Sequence, residues 1–238
     1  MSSYLAELFG TFFLVLMGNG VVAGVSLKKS HAQNSGYLAV VLAWGLAVTL
    51  AVYAVGQYSG AHINPAVTLA LAYLGSFPWE KVPGYMLAQL LGAFLGSTVV
   101  WIHYYKHWEE TGDPAVKLGA FCTSPGIRSF RNNFVSEVIG TAVLILGLLF
   151  IGANEFAQGL NPLIVGALIV SIGFSLGGTT GFAINPARDF GPRLAHFILP
   201  ISGKGHSDWA YAWIPVAGPL VGGFLGAALY QILFTTSF

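Results

Sequence analysis

Six apolar runs dominate this chain: roughly Tyr4 to Leu27, Tyr37 to Val55, Pro83 to Tyr105, Phe134 to Ile151, Leu160 to Leu176, and Tyr211 to Phe234. Each has the length of a membrane span, which takes about 17–25 residues to cross a hydrocarbon core about 30 Å thick. Only Glu7 and Glu137 place an acidic or basic side chain inside them. Lipid offers backbone groups no hydrogen bonds, so runs of this length must be helices there. Charged residues make up 8% of the chain, against about 25% in a soluble domain, too few to clothe a water-facing surface. The net charge of +1 argues against a nucleic-acid partner. The single cysteine, Cys122, excludes an internal disulfide and a multi-cysteine metal site. Met-Ser-Ser-Tyr at the start lacks a basic n-region, so the first run is expected to be a retained helix and not a signal peptide.

Two further apolar stretches, Pro65 to Leu74 and Pro186 to Leu199, are too short to cross. Each begins in an Asn-Pro-Ala triplet: Asn64, Pro65, Ala66 and Asn185, Pro186, Ala187. The triplets belong to a duplication. Glu7 and Glu137, Gly92 and Gly222, Phe94 and Phe224, and Gly96 and Gly226 each stand 130 residues apart, and the two asparagines stand 121 apart. The reading is one transmembrane domain, 1–238, made of a first half 4–105, a connecting loop 106–132 and a second half 133–238. Each half has three spans and one half-length helix. An odd number of spans inverts the second half, and inverted repeats place a site near the midplane between the halves. The expected fold is an all-α membrane protein with six transmembrane helices and two half-length re-entrant helices.

The triplet has a physical reading. Proline suits the first helical turn, where its missing N–H would have had no partner. Asparagine before it is a good N-cap, with its amide NH₂ left as a donor. Asn64 and Asn185 can therefore start two half-helices that meet end to end, with positive potential at their N-termini. The residues ahead of them, Gly60, Ala61, His62 and Gly181, Phe182, Ala183, must be extended. Irregular backbone at that depth survives only inside protein or along a watery cavity, so their carbonyls are expected to line a path. A ladder of acceptors with two donors halfway suits a neutral polar solute.

Two such triplets in an inverted repeat resemble the aquaporins, the major intrinsic proteins, along essentially the whole chain. The resemblance implies a constriction at Trp44, Gly173, Phe182 and Arg188. "GFAINPARDFGP", from Gly181, is similar to the glycerol facilitators, the bacterial aquaglyceroporin branch. It implies a passive cell-membrane channel for glycerol, water and other small neutral solutes that excludes ions and protons. It also implies a homotetramer in the lipid bilayer, no cofactor and no enzymatic activity. Trp44 and Phe182 are expected to form an apolar corner, with Arg188 donating to hydroxyls from the opposite side. Glu7 and Glu137 are expected to hold backbone N–H groups of the extended segments. His62, without carboxylate or cysteine neighbours, reads as structural, and Asp189 and Arg193 as an i, i+4 pair.

The alternatives are a water-selective channel or a facilitator of neutral small acids such as lactic acid, both on this fold. From another class comes an alternating-access transporter, whose only candidate coupling groups are Glu7 and Glu137. A membrane enzyme would need a nucleophile, base and oxyanion constellation. With both termini cytoplasmic, as the family implies, Lys81 is the only basic residue on a cytoplasmic connection, contrary to the positive-inside rule.

Overall fold

The structure, a computed structural model, describes residues 1–235. Residues 236–238 of the expected second half lie outside the described residues. The helices are α1 Ser3–Ser26, α2 Gly36–Ser59, α3 Pro65–Tyr73, α4 Val82–His103, α5 Tyr105–Glu110, α6 Pro114–Gly119, α7 Phe130–Gly152, α8 Asn161–Leu176, α9 Pro186–Ile198 and α10 Ile214–Tyr230. Among the described residues five spans are long and apolar enough to cross a membrane: α1, α2, α4, α7 and α10, the third and fifth with their flanking short turns. The run expected to be another span forms α8, which has 16 residues. At 1.5 Å per residue it is about 24 Å long, shorter than the bilayer core. Large apolar side chains such as Leu38, Leu46, Leu87, Ile102 and Leu225 stay exposed on the outside of the bundle, as bilayer solvent allows.

Packing repeats between the halves. Helix α1 lies against α4 and α2, and α7 lies against α10 and α8. Each half-helix then crosses over, α3 packing on α10 and α9 on α4, while α2 and α8 meet in the middle. Glycine makes the close approaches possible. A methyl at Gly92 would lie 2.2 Å from the Leu8 carbonyl oxygen, and one at Gly222 would lie 2.3 Å from that of Val138. Neither backbone can give way, so both seams need glycine.

The connecting segment is more than a tether. Tyr105 starts α5 instead of ending the third span. Trp108 and Phe121 are buried beneath the segment with their rings 5.5 Å apart. The buried Lys117 donates from Nζ to the Ser202 carbonyl, tying α6 to the loop that follows α9. Lys204 Nζ donates to the carbonyls of His196, Phe197 and Leu199 at 2.8, 2.7 and 2.6 Å. It caps the C-terminus of α9, where the last carbonyls lack helical partners.

Candidate pore and constriction

The two triplets cap their helices as their residue types require. Asn64 Oδ1 accepts from the Ala66 N–H at 2.9 Å, and Asn185 Oδ1 accepts from Ala187 and Arg188 at 3.0 and 3.2 Å. The amides also cross between the halves. Asn64 Nδ2 donates to the Ile184 carbonyl and Asn185 Nδ2 to the Ile63 carbonyl, both at 2.8 Å. Each asparagine thus clamps the segment that leads into the other. One amide hydrogen of each is committed to this clamp, which leaves one as a donor for the lumen.

The extended segments are strained. Gly60 and Gly181 have φ of 82° and 80°; Ala61, Ile63, Phe182 and Ile184 follow at 49°, 43°, 40° and 43°. A β-branched residue in the left-handed region is an outlier, and each such residue costs about 1–3 kcal/mol. The buried carboxylates hold them there. Glu7 Oε1 accepts from the His62 N–H and the Ser59 hydroxyl at 2.9 and 2.6 Å. Its Oε2 accepts from the Ile63 N–H and Gln89 Nε2 at 2.6 and 2.7 Å. Glu137 Oε1 accepts from the Thr180 hydroxyl and the Ala183 N–H at 2.6 and 3.0 Å, and its Oε2 from the Ile184 N–H at 2.8 Å. The N–H groups of His62, Ile63, Ala183 and Ile184 are drawn to the glutamates, and the carbonyls of Gly60, Ala61, His62, Gly181, Phe182 and Ala183 accept no hydrogen bond from any described residue.

Three cavities lie in series. A central one of about 80 Å³ is lined by Asn64, Asn185, Arg188 and apolar side chains such as Val48, Leu144 and Ile169. It shares Trp44, Phe182 and Arg188 with a vestibule of about 580 Å³ on one side. On the other it shares Ala61, His62 and Val67 with a vestibule of about 250 Å³. Three of the four expected constriction residues therefore stand between the central cavity and the larger vestibule, and Gly173 lies behind the Phe182 ring.

Their geometry is specific. The Trp44 ring is buried on α1, where a methyl at Gly18 would fall 2.4 Å from it. A methyl at Gly173 would lie 2.7 Å from Val41 and 3.2 Å from Phe182 Cζ, so the phenyl ring occupies the space that a side chain at 173 would need. The Arg188 guanidinium stands 4.3 Å from the centre of the Trp44 ring, a cation–π contact, and not across the lumen from it as expected. It makes no side-chain hydrogen bond to a described residue, which leaves its donors free. Asp189 does not neutralise it. Arg193 pairs with Asp189 Oδ1, through Nη2 at 2.8 Å and Nε at 2.9 Å. Oδ2 accepts from the Thr123 N–H and hydroxyl at 2.7 and 2.6 Å. His62 is packed against Phe77 and Tyr85, with Nδ1 3.1 Å from the Thr68 hydroxyl, a structural seat. Among the described residues no cluster of three His, Cys, Asp or Glu could hold a metal ion.

Sequence reasoning missed Ser59, Thr180, Gln89, Gly18 and Tyr37. A signal existed for the first two: Ser59 and Thr180 stand 121 apart, in register with the triplets, and each precedes the turn glycine. The others act through contacts distant in sequence.

An inverted helical repeat around a lumen with free acceptors on both sides and donors between them defines a membrane channel. The profile of the Major intrinsic protein family matches residues 1–230, and the chain belongs to that family of integral membrane proteins. It is 60% identical over 234 residues to the probable glycerol uptake facilitator protein of Thermotoga maritima, covering 98% of this chain and 100% of that one. It is 58% identical to the glycerol uptake facilitator protein of Bacillus subtilis, over 98% of this chain and 85% of that one. The X-ray structure of the aquaglyceroporin from Plasmodium falciparum superposes with a TM-score of 0.85 at 31% identity, covering 97% of this chain and 95% of that one.

Proposed function

We propose that the chain is a passive pore for glycerol, water and other small uncharged solutes, and that it excludes ions and protons. The observation that carries this reading is the constriction, where the buried rings of Trp44 and Phe182 stand beside an Arg188 whose donors are free. Glycerol has C–H groups along one edge and hydroxyls along the other. Its carbon edge slides on the rings while Arg188 takes the hydroxyls. The carbonyls of Gly60, Ala61, His62, Gly181, Phe182 and Ala183 relay them, with Asn64 and Asn185 donating halfway. A cation meets the fixed charge of Arg188 and the positive ends of α3 and α9. An ion of either sign loses hydration that the apolar wall does not replace. The glycerol-facilitator relatives support the choice of solute.

Glu7 and Glu137 are scaffold in this reading. Glu7 accepts four hydrogen bonds and Glu137 three, from backbone and side-chain donors of the segments they hold, and this structural use argues against a coupling site of the kind an alternating-access transporter needs. Residues 4–105 and 133–238 act as the two halves of one pore, joined by 106–132. Each chain carries its own lumen, and four chains assemble.

The test is stopped-flow light scattering on proteoliposomes under an inward glycerol gradient, with Phe182→Ala and Arg188→Val alongside. Fast reswelling, altered by Phe182→Ala and joined by cation leak in Arg188→Val, is the expected result. Fast water flux without glycerol entry would make the protein a water-selective channel. Saturable uptake coupled to an ion gradient would overturn the channel.

A further inference from the structure

Phe182 belongs to the proposed constriction, and its ring is buried at the edge of the main apolar cluster against a backbone surface. Its backbone is left-handed, and the α8 face behind it is glycine at 173 and 177. A methyl at Gly177 would lie 2.6 Å from Phe182 Cδ1, so the ring lies flush on bare backbone. The same methyl would lie 2.3 Å from the Tyr37 hydroxyl oxygen. Tyr37, in the first turn of α2, fills the rest of that shallow trough. Its ring stands perpendicular to Phe182 at 6.4 Å, edge to face, and its hydroxyl donates to the Gly173 carbonyl at 3.3 Å. Tyr37 also lines the larger vestibule together with Phe182 and Arg188. A half-exposed aromatic at a helix start in a membrane protein is ordinarily an interfacial anchor. Here it bridges α2 and α8 and touches the ring of Phe182.

We infer that Tyr37 is a positioning residue for solute selection: it pins the Phe182 ring against α8 and thereby sets how wide a solute the constriction admits. The inference deepens the proposed glycerol pathway and rests on it for the identity of the solute. Without Tyr37 the phenyl ring can swing into the vestibule, and the trough at Gly173 and Gly177 becomes lumen. Longer polyols then gain more than glycerol does.

The experiment compares permeability to glycerol, a five-carbon polyol and water in proteoliposomes holding the parent chain, Tyr37→Ala, Tyr37→Leu or Tyr37→Phe. A pentitol has two carbons more than glycerol, and one carbon in a pocket is discriminated by roughly tenfold or more, so the pentitol-to-glycerol ratio is expected to rise by at least about tenfold in Tyr37→Ala and Tyr37→Leu. Tyr37→Phe, which keeps the ring, stays near the parent value. A merely structural tyrosine would lower all three fluxes together and leave the ratio unchanged, and that result overturns the assignment. A second readout needs no transport: 4-fluorophenylalanine placed at position 182 and followed by fluorine NMR. A single narrow line in the parent that broadens or shifts in Tyr37→Leu supports positioning; an unaltered line refutes it. If the parent passes no glycerol, the pathway reading fails, and the fluorine line alone decides the role of Tyr37.

Discussion

The two halves hold their strained segments in the same way and differ in what they present to the lumen. Glu7 and Glu137 each collect two backbone N–H groups and one hydroxyl, from Ser59 in the first half and Thr180 in the second. Both segments repeat the same pattern of positive φ. Yet Ala61 and Val67 in the first half become Phe182 and Arg188 in the second, again 121 residues on. The half-helices also differ, with 9 residues in α3 and 13 in α9. Duplication supplies a backbone that any neutral solute can use. In the proposed pore, selection would fall to side chains at one end, where altering them leaves the shared scaffold alone.

The scaffold itself is unequal at one point. Glu7 receives a fourth hydrogen bond, from Gln89, whereas the residue 130 further on is Pro219, which brings no donor to Glu137. The largest expected effect comes from removing either carboxylate. Each buried donor left unsatisfied costs about 1–3 kcal/mol, against a typical total stability of about 5–15 kcal/mol. Glu7→Ala and Glu137→Ala are therefore expected to leave little folded protein, measured as the monodisperse fraction in detergent. The glutamine variants sharpen the comparison. In Glu137→Gln the new NH₂ can face the Ile184 N–H alone, because that oxygen has one donor. In Glu7→Gln the NH₂ faces one fixed donor as well, the Ile63 N–H, because Gln89 can turn its unpartnered Oε1 to accept from it. The two glutamine variants are therefore expected to lose about the same stability, one bond to a charged acceptor each, about 1.5–3 kcal/mol. Gln89→Ala in the Glu7→Gln background removes that acceptor and should lower the unfolding midpoint further. An unchanged midpoint would mean that Gln89 contributes nothing to the first half.

A middle-sized effect tests where the halves are alike. Gly92→Ala and Gly222→Ala drive a methyl into a carbonyl oxygen at nearly the same distance, 2.2 and 2.3 Å. Overpacking of this kind costs about 1–3 kcal/mol, and the two variants are expected to lose the same amount. Unequal thermal midpoints would show that the α1–α4 and α7–α10 seams are not equivalent, despite their shared spacing.

What the sequence revealed follows from these physics. Features fixed by backbone geometry recur at constant spacing: the triplets, the glutamates and the seam glycines. They were legible without a structure, whereas the grouping of Trp44, Gly173, Phe182 and Arg188 came from the family resemblance. Features that depend on a side chain reaching across the bundle leave no such mark. Gly18 makes room for Trp44 from another helix, and Tyr37 reaches Gly173 across 136 positions. The connection between the halves read as a polar loop because its charges lie outside, while Trp108, Phe121 and Thr123 fold inward. Helix α8 is the shortest of the six expected spans, since its run of 17 residues stands at the lower limit of span length and 16 of them are helical.

The smallest effect lies in the loop after α9, which is longer than the one after α3 in the first half. Arg128 grips Asp208 with two hydrogen bonds, both at 2.8 Å, and Asp208 sits in a left-handed turn with φ of 49°. The Arg128 hydrogen bonds hold the Asp208 carboxyl below its ordinary range. A carboxyl depressed on folding stabilises the protein above its unfolded value, near pH 4, and loses that contribution as the pH falls through the lower folded value. Arg128 is half exposed, so solvent screens the pair and the contribution is about 0.5–1 kcal/mol. Arg128→Ala should lower the thermal midpoint slightly at pH 7, and the gap from the parent should close on acidification below about pH 4. Raised salt should narrow it as well. A gap that persists at low pH would assign the role of Arg128 to its stacking on Phe130 and Tyr211, at 5.3 and 5.5 Å, instead of to its charge pair. The second half would then owe the order of its longer loop to ring contacts, leaving the buried Asp189–Arg193 pair as the electrostatic anchor beside the constriction.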